Sequence, residues 1–150
     1  MNETRKDGIR LTAGLRRHFA WYYPDGDVLL VGAVELGPAV TGFLLRVPGM
    51  FVASVIDLWP WDARQRRWLA PVELVDNWGD SDQWYLARAW LVDVGGDGHR
   101  DVVKREKIGE AGRMAADRLT VRRFTTSGFV SSHPARELEP RFDFALACKN

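Results

Sequence analysis

Short apolar segments, separated every few residues by turn-forming residues, constrain the fold of this chain most strongly. From residue 28 onward, runs rich in Val, Leu, Phe and Trp alternate with Gly, Pro, Asp and Asn at intervals too short for long helices. The pattern predicts eight strands, at residues 28–34, 40–47, 51–59, 68–75, 84–92, 102–108, 119–124 and 129–132. No helical crossover of a dozen residues separates most of these runs, so an antiparallel meander is expected rather than βαβ units.

The predicted strands divide into two groups of four, at residues 28–75 and 84–134. Each group contains the same order of features: a strand, an aromatic residue, a polar turn, a second aromatic residue and then a proline. Such hairpins can pack aromatic rings across paired strands, and the proline ends the pairing. The expected fold class is therefore mostly β, with about eight antiparallel strands in two blade-like four-stranded units.

The two ends of the chain are less strongly patterned. A length of 150 residues suits one domain, in which residues 1–27 form an N-terminal segment and residues 135–150 a C-terminal tail. Apolar residues near helical spacing permit a short N-terminal helix: Ile9, Leu11, Leu15, Phe19 and Tyr22. Residues 19–23 would suit a strand equally well. Residues 109–118 suit either a helical turn or a long polar hairpin loop.

Charge and hydropathy exclude two classes of partner. Lys and Arg total 21 and Asp and Glu total 20, so the net charge of +1 gives no overall attraction to nucleic acid. The longest apolar stretch, residues 28–47, contains Glu35, Pro38 and Arg46, which favours two buried strands over a membrane span. Residues 1–17 are charged and lack the apolar centre of a signal peptide, so no compartment is assigned.

An acidic, glycine-rich loop follows the fifth predicted strand. It places Asp93, Asp97 and Asp101 at loop positions 1, 5 and 9 and Gly98 at position 6. A hard cation such as Ca²⁺ takes six to eight oxygen ligands, which a tight loop supplies from alternate side chains and from a main-chain carbonyl at position 7, here His99. We therefore predict a structural Ca²⁺ site formed by Asp93, Asp97, His99 and Asp101.

Two positions of this loop differ from a complete calcium ligand set. Gly95 at position 3 offers no side-chain oxygen, and position 12 is Lys104, where an EF-hand has a bidentate Glu. Water would have to complete the coordination shell, so we expect weak binding with a Kd of roughly 10⁻⁴ to 10⁻³ M. The alternative is a hairpin turn that uses Asp and Gly for their turn preference alone and binds no metal.

The segment 84–134 resembles the FG-GAP or VCBS-type repeat of integrin-like β-propellers. The family signature is strand, Asp-x-Asp/Asn-x-Asp-Gly-x-x-Asp, strand, and the matching residues are Asp93, Asp97, Gly98 and Asp101. The resemblance implies a non-catalytic, often extracellular module that is stabilised by Ca²⁺ and contacts protein or glycan. A full propeller needs more blades than 150 residues can hold, which would make this chain a fragment, a two-unit sandwich or part of an assembly.

Tryptophan is concentrated in the middle of the chain, where residues 59–90 contain six of the seven. Trp84 and Trp90 lie at even spacing with Leu86 and Val92, which favours one buried strand face. Trp59, Trp61 and Trp78 neighbour turn residues, so they are candidates for a binding surface, with burial in the core as the alternative.

These features predict a non-catalytic, calcium-stabilised β-repeat module for protein or glycan interaction. No catalytic residue is assigned, because His18, His99 and His133 belong to no nucleophile elbow, metal-ligand pair or phosphate loop. One alternative is a small metal-dependent hydrolase that uses the same acidic loop. Another is a cytosolic inhibitor-type binding protein without metal.

Overall fold

The structure, a computed structural model, is dominated by short antiparallel strands. It describes residues 8–19, 28–47, 55–80, 82–134 and 136–144. The strands are β1 Ile9–Arg10, β2 Leu29–Gly37, β3 Val40–Val47, β4 Val55–Asp62, β5 Arg67–Trp68, β6 Val72–Val75, β7 Trp78–Gly79, β8 Gln83–Val92, β9 Asp101–Glu110, β10 Arg113–Thr125 and β11 Gly128–Ser132. The helices are α1 Ala13–Phe19 and a 3₁₀ turn at Arg136–Leu138, and neither is long or apolar enough to cross a membrane.

The described strands form two antiparallel sheets that follow each other along the chain. The first sheet has six strands in the order β1-β2-β3-β4-β5, with β6 also paired to β4, and the second has five in the order β11-β10-β9-β8-β7. This confirms the mostly β, antiparallel fold class and the short N-terminal helix. There are more strands than predicted because β1 and β7 add edges and because the predicted strand 68–75 is divided at Pro71, which has no N–H for pairing.

Some predicted boundaries lie outside the described residues. These are residues 51–54 at the start of the third predicted strand, most of the segment 1–27 apart from residues 8–19, and the part of the tail at 145–150. Within the described residues, the segment 109–118 is neither a helical turn nor a long loop. β9 and β10 pair almost to the turn formed by Ala111 and Gly112, whose φ angles of 49° and 75° fit a two-residue hairpin turn.

The two sheets share one apolar core. Leu36 and Leu58 of the first sheet pack in the same cluster as Val102 and Phe124 of the second. Two further clusters cover the opposite faces of the sheets. On the first sheet, Phe19 of α1 packs with Leu45, Val47 and Trp59, among others. The molecule is thus layered, with α1 outside the first sheet and a C-terminal segment outside the second.

The C-terminal segment 136–144 is held on the second sheet by apolar and charged contacts. Phe142 packs in a cluster with Val103, and its ring centroid lies 5.4 Å from that of Trp90. Buried Lys107 donates a hydrogen bond of 2.6 Å to the main-chain oxygen of Phe144 and pairs with Asp143 at 2.7 Å. This segment therefore fixes one face of the strands that carry the acidic loop.

Candidate functional site

The predicted calcium loop is the connection between β8 and β9, and its first carboxylate is directed at the loop's own main chain. Asp93 Oδ1 accepts hydrogen bonds from the amides of Gly96 at 2.6 Å and Asp97 at 3.1 Å, and Oδ2 accepts one from Gly98 at 2.8 Å. Gly98 has a φ of 81°, which a residue without Cβ adopts at little cost. The hydrogen bond from the Gly98 amide is the main cause of a pKa for Asp93 below its usual range.

The last carboxylate of the loop is buried and joins the loop to the neighbouring strand. Asp101, the first residue of β9, has 0% of its surface exposed. Its Oδ1 accepts a hydrogen bond from the amide of Phe124 at 2.8 Å, and its Oδ2 accepts one from Val94 at 3.2 Å. The same Oδ2 lies 3.1 Å from Nε of Arg123 on β10. Asp101 therefore closes the hairpin through main-chain donors and one guanidinium.

The middle of the loop is its exposed part. Asp97 is exposed, and its Oδ1 accepts a hydrogen bond from the amide of His99 at 3.0 Å. The His99 ring stacks on Phe124 with centroids 5.8 Å apart, and it also lies against Gly37 of β2. His99 thus contributes packing between the two sheets.

The predicted ligands do not form an oxygen cage in this arrangement. Asp93 and Asp101 direct their carboxylates to amides and to Arg123, and Asp97 accepts a hydrogen bond from the amide of His99 and lies 3.8 Å from Arg123. Within the ranges that the structure describes, no three His, Cys, Asp or Glu side chains are grouped so that they could hold a metal ion. In this arrangement the four residues do not fit Ca²⁺. Calcium binding by Asp93, Asp97, His99 and Asp101 therefore stays a prediction from the sequence alone.

The three tryptophans proposed as a binding surface lie in different environments. Trp59 is only 3% exposed and packs against Phe19 of α1, so its ring is not available at the surface. The surface assignment of Trp59 is corrected for this reason. Trp61 is half-buried and lines a cavity, whereas Trp78 lies on β7 at the edge of the second sheet and stacks on Tyr85 at 6.3 Å.

The cavity beside Trp61 lies between α1 and the first sheet. Its volume is about 320 Å³, and the described side chains that line it are all apolar: Leu11, Leu15, Phe19, Leu30, Phe43, Leu45, Trp61 and Trp68. Leu30 and Leu36 are an even number of residues apart and would share one face of a regular strand. A β-bulge between Leu30 and Gly32 changes this alternation, so that Leu30 lines the cavity while Leu36 packs in the core between the sheets. Leu15 is 48% exposed and lies at the mouth.

A second cleft, of about 440 Å³, is polar. Glu73 of β6 lines it together with side chains from β9, β10 and β11: Lys104, Glu106, Thr120, Val121, Arg122, Ser131 and Ser132. The ammonium group of Lys104 lies 2.9 Å from Glu73 and 3.2 Å from Glu106. Glu106 also accepts a hydrogen bond from the Tyr85 hydroxyl. Both carboxylates are thus bound within a network of the protein's own charges.

The hydrogen bond of the Tyr85 hydroxyl leads us to expect that the protein loses stability at alkaline pH. Burial, followed by the hydrogen bond to Glu106, raises the pKa of Tyr85 from 10.0 to about 12. Because the folded state holds this proton more tightly than the unfolded chain, the stabilisation is complete below pH 10.0 and is lost as the pH rises through about 12. In an absorbance titration of tyrosinate, Tyr85→Phe should remove the component with the highest pKa.

Glu106→Gln is the matched variant for this titration, since it keeps the size of the side chain and removes its charge. The late component should then move to lower pH while the fold is kept. If the titration curves of the wild-type protein and Tyr85→Phe differed only in the amplitude of a component near pH 10.0, the hydrogen-bonded state of Tyr85 would be wrong.

Sequence reasoning located the acidic loop and Trp61 but missed the rest of the cavity and the polar cleft. The helical spacing of Leu11, Leu15 and Phe19 was a signal for an apolar face, although nothing in it indicates which sheet face it covers. The resemblance of residues 84–134 to FG-GAP and VCBS-type repeats stays a prediction that rests on the loop residues. Comparison of the chain with protein-family models, with curated proteins and with solved structures found no match.

Proposed function

We propose that the protein is a non-catalytic binding module that holds a small, uncharged apolar ligand in the cavity between α1 and the first sheet. The observation that carries this proposal is the cavity lining, in which none of the described side chains bears a polar or titratable group other than the indole N–H of Trp61 and Trp68. Sites for small molecules are commonly concave and mostly apolar, with volumes of about 300 to 1,000 Å³.

The aromatic rings of the cavity support each other, which favours binding. The Trp68 ring has centroid distances of 5.1 Å to Trp61, 5.3 Å to Phe19 and 5.6 Å to Phe43. These are edge-on contacts at angles of 60° to 69°, a favourable arrangement for aromatic pairs. Rings fixed by one another lose little conformational freedom when a ligand enters.

The chemistry of the lining also selects among the predicted partners. A glycan needs hydroxyl, amide or charged groups that pair with its many hydroxyls, because unpaired polar groups are costly to bury. The described side chains of the cavity offer almost none of these. A catalytic role would need a nucleophile or a general base at the ligand, and the described lining residues supply neither. The apolar walls therefore favour a hydrophobic molecule and a binding role.

The proposal predicts that the neutral dye Nile red binds to the folded protein with increased fluorescence. At roughly 0.3 kcal/mol per non-hydrogen atom, a dye with about 24 such atoms gains about 7 kcal/mol, which corresponds to a Kd of the order of 10⁻⁵ M. Leu15→Trp places a larger ring at the cavity mouth and should weaken binding at least about tenfold by filling the space that the dye needs.

Val130→Trp is the matched control, because Val130 is a similarly exposed apolar residue, at 46%, on β11 of the second sheet. This variant should bind the dye as the wild-type protein does, with both variants first shown by circular dichroism to keep the β fold. Equal binding by all three proteins would place the dye elsewhere, and absence of binding by the wild-type protein would refute the cavity as a ligand site.

A further inference from the structure

The acidic loop contains a cation that belongs to the protein itself. The Arg123 side chain reaches from β10 across the loop, with Nε 3.1 Å from Asp101 Oδ2 and Nη2 3.8 Å from Asp97 Oδ2. It therefore lies between the carboxylates at loop positions 5 and 9. These are two of the groups that a loop of this spacing would offer to Ca²⁺.

Glycine at loop position 3 leaves room for the same guanidinium. A Cβ built on Gly95 would lie 1.8 Å from Nη2 of Arg123 and 2.8 Å from Cζ, so a side chain at this position would displace the end of the flexible Arg123 side chain. The φ of Gly95 is not in the left-handed region, unlike that of Gly98, so its backbone conformation does not require glycine. The residue that removes a calcium ligand is thus the one that makes room for Arg123.

We propose that Arg123 replaces Ca²⁺ in this loop: its guanidinium neutralises Asp97 and Asp101 and closes the β8–β9 connection onto β10 without a metal. A guanidinium suits this role because it stays charged and presents several donors in a fixed plane. The loop amides of residues 96 to 98 supply the donors for the remaining carboxylate, Asp93. This inference is independent of the apolar cavity.

The functional consequence concerns the conditions under which the module is folded. Weak calcium modules need free Ca²⁺ of roughly 10⁻⁴ to 10⁻³ M to keep their loops closed. With Arg123 as the cation, the loop between β8 and β9 stays closed at far lower calcium concentrations. Removal of calcium should then leave both the fold and its binding cavity unchanged.

The proposal is tested by thermal unfolding of metal-stripped protein with Ca²⁺ and with chelator. The wild-type protein should melt at the same temperature in both. Arg123→Gln leaves buried Asp101 without its charged partner, and its melting temperature should fall by at least about 6 °C. In the double variant Gly95→Asp/Arg123→Gln, which restores the ligand and removes the guanidinium, Ca²⁺ should raise the melting temperature by about 5 to 10 °C for a Kd near 10⁻⁴ M at about 10 mM Ca²⁺.

Arg122→Gln is the matched control, because Arg122 is the exposed neighbour on β10 and makes no ion pair with the described residues. Its melting temperature should equal that of the wild-type protein both with Ca²⁺ and with chelator. A calcium-dependent rise in the wild-type melting temperature, or saturable heat when wild-type protein is titrated with Ca²⁺, would overturn the proposal whether or not the variants fold. So would an Arg123→Gln variant as stable as the wild-type protein, or a folded double variant without a calcium response.

Discussion

Replacement of Asp101 by alanine is expected to lower the free energy of unfolding by about 3 to 5 kcal/mol, as measured by urea denaturation. The carboxylate is fully buried and accepts hydrogen bonds from the amides of Val94 and Phe124 while it pairs with Arg123. Its removal leaves two amides without an acceptor and a guanidinium without its buried partner. The hydrogen-bond acceptor and the negative charge are both lost from the hairpin of β8 and β9. The expected decrease in the free energy of unfolding is therefore large.

Asp97→Ala is the matched control for this prediction, since it removes a carboxylate from the same loop at a side chain that is 49% exposed. Asp97 lies 3.8 Å from Arg123, and exposed pairs of this kind contribute about 1 kcal/mol or less. A similar loss of stability in both variants would mean that Asp101 is not the residue that closes the loop.

The sequence located most strands because strand formation leaves a local signal. β3 Val40–Val47 was predicted with the same boundaries that the structure has, and β8, β9 and β11 differ by a few residues at their ends. The error at residues 109–118 has a clear cause. Charged residues there indicate solvent exposure, but whether an exposed segment pairs depends on a partner strand, and β9 and β10 continue to pair as far as the turn.

The acidic loop shows a similar limit at the level of side chains. The spacing of Asp93, Asp97 and Asp101 identified a turn that carries three carboxylates. The partners of these carboxylates could not be predicted from the sequence. Arg123 is on a different strand and approaches Asp101 only through the pairing of β9 with β10. Loop spacing therefore predicts negative charge that needs a counterion, and tertiary structure determines whether a metal or a side chain provides it.

The burial of the tryptophans also depends on a layer that the strand pattern does not reveal. Trp59 and Trp61 lie two residues apart on β4, so they share one face of the first sheet. That face is covered by α1, and Phe19 at the end of the helix packs onto Trp59 while Trp61 borders the cavity. Neighbouring turn residues suggested exposure for both tryptophans. The position of α1 instead makes Trp59 a core residue and leaves Trp61 at the wall of the cavity.

Trp59→Ala is consequently expected to destabilise the protein by about 3 to 5 kcal/mol, the usual range for removal of a large buried aromatic side chain. Trp59 is 3% exposed, with its ring centroid 4.8 Å from Phe19 and 6.2 Å from Trp68. Removal of the ring leaves a void beneath α1 and takes away the support that holds Phe19 and Trp68 in the cavity wall. Nile red binding should weaken together with the free energy of unfolding.

Trp78→Ala provides the comparison for this variant. Trp78 is half-buried on the short edge strand β7, and its ring stacks on that of Tyr85 with centroids 6.3 Å apart. Its removal should cost only about 1 to 2 kcal/mol in urea denaturation and should leave dye binding unchanged, because the cavity lies on the other sheet. If the two substitutions instead have equal effects on stability and on dye binding, α1 does not cover the first sheet as described, and the cavity that depends on this contact is not formed.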